Sequence, residues 1–310
     1  MRAVASWVLL DSFLKRQKQA LRQHAESRIV PAMNAAPAAW PRSPSEAAGR
    51  WLVRLLLAAA IAIIFVPLLL TLYLSVFDET LITFPPHAYT TRWYARILPE
   101  FGAALRTSLL VALAAVAISL VLGVPAAIGL ARHRFRGRTA LSTLLLAPLT
   151  VPGIAIGLGI YVGAVLVEER TEWPLSGSVP VMVAAHVLIA LPWMVRLCLA
   201  ALANSDPAAE EAAASLGATP WQVAWRVTLP AMRGGIVAGA LFAFIISFEN
   251  LEMTLFLTAP GMTTLPISIL QYLQYHIDPL VAAVAVAQVV LVGGALVLLD
   301  RWVPIARAVA

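Results

Sequence analysis

The sequence predicts an all-α integral membrane protein of six transmembrane helices, and three observations carry that prediction. Of its 310 residues, 61% are hydrophobic and only 12% are charged, against about 25% charged in a soluble domain. Six apolar stretches occupy 51–76, 102–131, 140–166, 178–203, 234–258 and 279–301. Each is long enough to cross a hydrocarbon core of ~30 Å, which takes roughly 20 helical residues. The loops between them alternate sharply in basic content, as loops on opposite sides of a membrane do.

Residues 1–50 form a basic tail and linker ahead of the first span. Lys15, Arg16, Lys18 and Arg22 follow a short apolar stretch, Val4 to Leu10, that Asp11 interrupts. That stretch is too short and too soon charged for a cleaved signal peptide. Two readings stay open: a basic amphipathic helix lying on the membrane, or a start placed upstream of the natural one, since Met33 opens a more ordinary lead-in. Residues 51–303 are the membrane domain, with a loop at 204–233, and 304–310 are a short tail. Pro125, Pro148, Pro152 and Pro192 fall inside the apolar stretches, where neighbouring helices can satisfy the freed backbone groups. Gly153/Gly157 and Gly235/Gly239 have small-xxx-small spacing and read as close-packing sites.

The loop after the second span holds four Arg (Arg132, Arg134, Arg136, Arg138) and no acid. The fourth loop carries Arg226 and Arg233, and Arg301 and Arg307 follow the last span. By contrast the third loop reads Glu168-Glu169-Arg170-Thr171-Glu172, and 259–278 has neither Lys nor Arg. The asymmetry predicts that both termini and the second and fourth loops are cytoplasmic. The net charge of +6 therefore reflects topology rather than nucleic-acid binding. A single cysteine, Cys198, sits in an apolar run and excludes a disulfide framework or a Cys-based metal site; it reads as a buried core thiol.

The loop at 204–233 is a pair of short helices with explicit punctuation. Asp206 is placed to cap the first, with Pro207 at the first helical position where its missing N–H costs nothing. Glu210 and Glu211 stand in the early turns, which the helix dipole favours for anions. Gly217 supplies a left-handed C-terminal residue. Thr219 begins a second helix, with Pro220 following and Gln222 three residues on to complete a capping box, and Pro230 is expected to end it. On these grounds the pair is a rigid object shown to the cytoplasm, a plain surface hairpin, or a re-entrant bend closing the bundle.

Glu211, Ala212, Ala213, Gly217, Val227, Leu229 and Pro230 stand at the spacing of the "EAA" motif, and on them the chain resembles the permease subunits of ATP-binding-cassette importers with the type I (MetI-like) fold. One position is softened: Val227 stands where that family usually has Ile. The resemblance covers about 51–303. It implies that the first helix of the pair, with Glu210 and the motif residues, docks into a groove of a separate ATPase. It also implies the partners: ABC ATPase subunits, a second permease (a paralogue or an identical copy), a periplasmic substrate-binding protein, and the lipid bilayer of a bacterial inner membrane. No catalytic residue, metal or cofactor is assigned to this chain; ATP and Mg belong to the partner ATPase. In agreement, a phosphate-binding P-loop needs a Lys beside the triphosphate, and the only lysines are Lys15 and Lys18. Gly157, Gly159 and Gly163 lie within an apolar span and make no dinucleotide loop.

Thr91-Arg92-Trp93-Tyr94, Leu105-Arg106-Thr107-Ser108-Leu109 and the stretch from Ser247 to Gly261 resemble the spermidine/putrescine type within this family. That type has an acidic pair after Ser-Phe; here Asn250 replaces the second acid and Glu252 adds one two residues later. Importers for iron(III), thiamine, opines or phosphonates share much of the pattern. Glu249 and Glu252, three apart, are expected on one helix face. As costly charges inside a span they either line a cation path with Asn250 or sit at the interface as packing. His186 reads as a hydrogen-bonded core histidine ahead of a ligand, and Arg196 as snorkelling ahead of a gate residue. Trp93, Tyr94 and Trp173 read as interface anchors. A secondary transporter would show matched broken helices in two halves, and an intramembrane enzyme a paired constellation; no motif links Ser247 to His186.

Overall fold

The computed structural model describes residues 44–79 and 85–302; the basic stretch of the tail and residues 304–310 lie outside them. The chain divides into two compact units at Pro67/Leu68. Helix α1, Pro44–Leu74, contributes the first of them and runs on past Pro67. Its apolar part, Trp51–Leu74, is 24 residues, about 36 Å at 1.5 Å per residue.

In the second unit α2 is Arg92–Arg132, 41 residues with Pro99 and Pro125 inside it. It begins ten residues before the expected 102, because Arg92, Arg96 and Glu100 interrupt apolarity without interrupting helicity. Trp93 is thereby buried rather than placed at an interface: it is 1% exposed and its indole N–H donates to the Phe77 carbonyl at 2.6 Å. Tyr94 is half-buried with its hydroxyl 2.8 Å from Ser75 Oγ, while Trp173 is exposed as an anchor would be.

The third apolar run is broken. Helix α3, Arg138–Leu146, passes through a 3-10 turn, Ala147–Thr150, and α4, Gly153–Thr171, leaves at 104°. The cause is local. Proline disfavours the helical region for the residue before it, and Val151, ahead of Pro152, is extended (φ −93°, ψ 133°). Proline here turns the chain, where the sequence suggested a tolerated kink. Helix α5, Val179–Ala203, matches the fourth run.

Helix α6 is Pro207–Ser215. Helix α7, Pro220–Ala231, meets α8, Arg233–Phe248, at 69°. Pro230 does not end α7 at once. Residues Ala224–Thr228 widen into a π-turn, with Leu229 N–H donating to the Ala224 carbonyl, which relieves the clash between a proline ring and the carbonyl four residues back. The fifth run ends at Phe248, ten residues before the expected 258. Beyond it a turn with a 3-10 segment, Thr254–Phe256, leads to α9, Leu265–Leu273, inside what the sequence offered as a loop. Helix α10, Leu280–Trp302, is last. Among the described residues four single helices are long and apolar enough to cross a membrane, and up to six spans result if each of the two bent pairs is one span.

Helices α2, α5 and α8 form the centre of the second unit. Ala115, Ala190 and Ala243, one from each, are fully buried together, and small side chains let three helices approach without a polar penalty. The glycine pairs are packing sites. A Cβ on Gly235 would lie 2.5 Å from Ala201 Cβ, and one on Gly239 would lie 2.8 Å from Met194 Sδ. Gly157 presses against the backbone of Met253. Cys198 is buried beside Met194, Leu202 and Met232.

Candidate functional site

Two regions hold the residues singled out from the sequence. The first is the hairpin of α6 and α7. Asp206 Oδ1 accepts the Ala208 N–H at 2.9 Å. Gly217 has φ +86°, and around it the Ala218 N–H donates to the Ala213 carbonyl and the Gly217 N–H to that of Ala214. That bond pair is the Schellman arrangement, which only a left-handed residue at this position closes. The capping box is complete: the Gln222 N–H donates to Thr219 Oγ1 at 3.3 Å, and the Thr219 N–H to Gln222 Oε1 at 2.8 Å. Each is a bond between near neighbours, so their residue types predict them.

One connection had no sequence signal. Arg132, last residue of α2, reaches Glu210 Oε1 with Nε at 3.2 Å and Nη2 at 3.0 Å, and Nη2 also donates to Ser205 Oγ at 2.7 Å. Both side chains are only about one-fifth exposed. The hairpin is thus pinned to the end of α2, the longest helix among the described residues, by a charge-assisted cluster. Glu211, Ala212 and Gly217 are exposed, Ala213 and Val227 are half-buried, and Leu229 packs against the cluster around Met232 while Pro230 is exposed. Beside them Leu216 is 90% exposed and Trp221 71%, with Trp221 and Trp225 edge to face at 5.4 Å. Exposed apolar side chains on a rigid, capped hairpin are what a docking surface needs.

The second region is the turn after α8. Glu249 is the residue that ends that helix and Glu252 lies in the turn beyond, so the expected shared helical face is not formed. Asn250 sets the turn: its Oδ1 accepts from Met253 N, Thr254 N and Thr254 Oγ1 at 3.1–3.3 Å, competing with helix continuation as short polar side chains do. The two acids are nevertheless both exposed. Glu249 Oε1 accepts from Gln288 Nε2 of α10 at 3.3 Å, a residue that nothing in the sequence marked. Glu252 Oε2 lies 3.0 Å from where a Cβ on Gly153 would sit. A helix C-terminus already carries partial negative charge, so two carboxylates there make a strongly cation-attracting surface. His186 is a hydrogen-bonded core residue, with Nδ1 2.7 Å from Ser247 Oγ and Nε2 3.2 Å from Thr254 Oγ1.

The described residues offer up to six apolar spans, two of them bent pairs, with a capped hairpin between the fourth and fifth, as expected of a membrane permease. Residues 119–304 match the family described as binding-protein-dependent transport system inner membrane component, and the chain belongs to that family. It is 31% identical over 248 residues, 79% of this chain and 87% of the relative, to the putrescine transport system permease protein PotI of Escherichia coli K12. It is 35% identical over 218 residues, 67% of this chain and 81% of the other, to the molybdenum transport system permease protein ModB of Mycobacterium tuberculosis. The fold is similar to that of a bacterial ABC transporter that imports alginate, with a TM-score of 0.65 and 16% identity over 84% of this chain and 98% of that one. The chain is a permease subunit of an ATP-binding-cassette importer, a transport subunit rather than an enzyme.

Proposed function

We propose that this permease conducts a polyamine-like cation, with Glu249 and Glu252 on its path, and that the 206–230 hairpin couples the path to a separate ATPase. The observation that carries the substrate is the paired carboxylates at the C-terminal end of α8, exposed and with Asn250 shaping their turn. A cation gains there from both charges and from the helix end. The similarity to a putrescine permease at 31% identity supports the same reading. The molybdenum relative at 35% favours an oxyanion instead, but two carboxylates at the path would repel one.

The working complex in this reading contains two permease subunits, two ATPases and a periplasmic binding protein; an alginate importer of the same fold has been seen with its binding protein. Both termini, the Arg-rich loop after α2 and the hairpin face the cytoplasm, and α9 faces the other side. Cysteines at exposed Arg136 and at Tyr275, 83% exposed, test that orientation. An impermeant thiol reagent on cells with a permeabilised outer membrane is expected to label only Tyr275→Cys, and labelling of Arg136→Cys alone would invert the topology.

The substrate is tested with Glu249→Gln, which removes charge but keeps size and hydrogen bonding to Gln288. Uptake of putrescine or spermidine is expected to fall about fivefold, the order of one lost charge contact of about 1 kcal/mol. Binding-protein affinity and basal ATP hydrolysis stay unchanged. A Glu249→Gln, Glu252→Gln double variant with normal uptake and abundance would remove the acids from the path and point to a neutral or anionic substrate.

A further inference from the structure

His186, Ser247, Thr254 and Asn250 form one chain of hydrogen bonds whose direction can be read. Thr254 Oγ1 donates to Asn250 Oδ1 at 3.1 Å, so toward His186 Nε2, at 3.2 Å, it is the acceptor. Nε2 therefore carries the ring proton, and Nδ1 accepts from Ser247 Oγ at 2.7 Å. The hydroxyl protons of Ser247 and Thr254 and the ring proton of His186 each have an acceptor. His186, Ser247 and Thr254 are at most 3% exposed. A fully satisfied buried network is rigid, and a half-satisfied one is costlier than an apolar core.

The place of the chain gives it a task. Ser247 is in the last turn of α8, His186 is about two turns into α5, and Asn250 and Thr254 belong to the turn that carries both acids. Helix α4 also presses on the same turn, through Gly157 against the Met253 backbone and Gly153 beside Glu252. The turn is held by two helices, by polar contacts from α5 and by glycine contacts from α4. An apolar residue at 186 would fill the space, so packing alone gives no reason for an imidazole here.

We propose that His186 is a positioning residue for transport: its hydrogen bonds to Ser247 at the end of α8 and to Thr254 in the 249–257 turn clamp that turn to α5 and so fix where Glu249 and Glu252 meet the transported cation. The inference rests on the path reading above for the part the acids play, and on geometry alone for the clamp.

The test uses the assembled transporter in proteoliposomes with His186→Phe, Thr254→Val and His186→Gln. Phenylalanine keeps a ring without hydrogen bonds, and valine keeps the shape of threonine without its hydroxyl. Glutamine offers an acceptor and a donor at nearly the spacing of the two ring nitrogens. The clamp is read by disulfide formation between Gly153→Cys and Glu252→Cys, since a Cβ at 153 would lie 3.3 Å from that of Glu252, close to the 3.5–4.5 Å of disulfides. Cys198 is fully buried and stays out of reach of the oxidant. Cross-linking is expected to slow about tenfold in His186→Phe and in Thr254→Val, the scale of one lost buried hydrogen bond. It is expected to be no slower in the double variant and to recover in His186→Gln. In the background without the added cysteines, uptake at saturating loaded binding protein is expected to follow the same order. Equal cross-linking rates in all variants at equal abundance overturn the clamp, and if His186→Phe does not accumulate, Thr254→Val decides. Slowed cross-linking with unchanged uptake keeps the clamp and overturns its link to transport, through the failure of the path reading.

Discussion

Gly217→Val is expected to abolish uptake while the permease still inserts in normal amount. A Cβ at Gly217 would meet nothing within 4 Å, so the cost is not a clash with a neighbour. It is the backbone: φ is +86°, a conformation that costs an L-residue about 1–2 kcal/mol and a β-branched one more. The chain escapes by leaving the left-handed region, which breaks the two bonds closing α6 and swings α7 away from it. Leu216, Trp221 and Trp225 then no longer share one rigid surface, and the ATPase is expected to come off during purification. Gly217→Asn is the control, because asparagine visits the left-handed region; it is expected to retain most uptake. A valine variant with full uptake would exclude hairpin geometry from coupling.

Arg132→Gln is expected to uncouple the transporter in the other sense, with the ATPase still bound. Losing one partner of a fully buried ion pair costs about 3–5 kcal/mol, and an exposed pair contributes about 0–1. With both side chains about one-fifth exposed, a loss of about 2 kcal/mol is expected, since Glu210 keeps some water and Ser205 loses one donor. The hairpin keeps its own caps and its docking face but loses its tie to α2. Basal ATP hydrolysis is then retained and uptake per ATP falls at least tenfold. Glu210→Gln is milder, because an amide can still accept from the guanidinium. Uptake per ATP unchanged in Arg132→Gln would assign force transmission to the covalent links into α5 and α8 alone.

The two variants mark the line between what the sequence makes legible and what it does not. The punctuation of the hairpin lies in bonds between residues two to five apart, so Asp206, Gly217, Thr219 and Gln222 announce them by type. The apolar runs are equally local and give the spans. Contacts at a distance leave no such mark: Arg132 and Glu210 are 78 residues apart and His186 and Ser247 are 61 apart. Trp93 is buried rather than interfacial for the same reason, since its type is shared by interface and core and only the fold supplies the Phe77 carbonyl. The breaks at Val151 and after Phe248 lie between these cases. Pro152 and Asn250 carry the cause in their own chemistry, but apolarity runs on past both and hides the turn.

The most direct measurement of the central claim, that this permease takes its energy from a separate ATPase through the hairpin, is site-directed cross-linking in the reconstituted complex. A cysteine replaces Ala214, exposed on α6, and a short thiol–amine cross-linker is applied with and without ATP. The expected product joins the permease to the ATPase subunit, and its yield changes on adding ATP, while the same cysteine at Tyr275 gives none. ATP-driven uptake with no ATPase product from Ala214→Cys, or with product from Tyr275→Cys instead, would contradict the account.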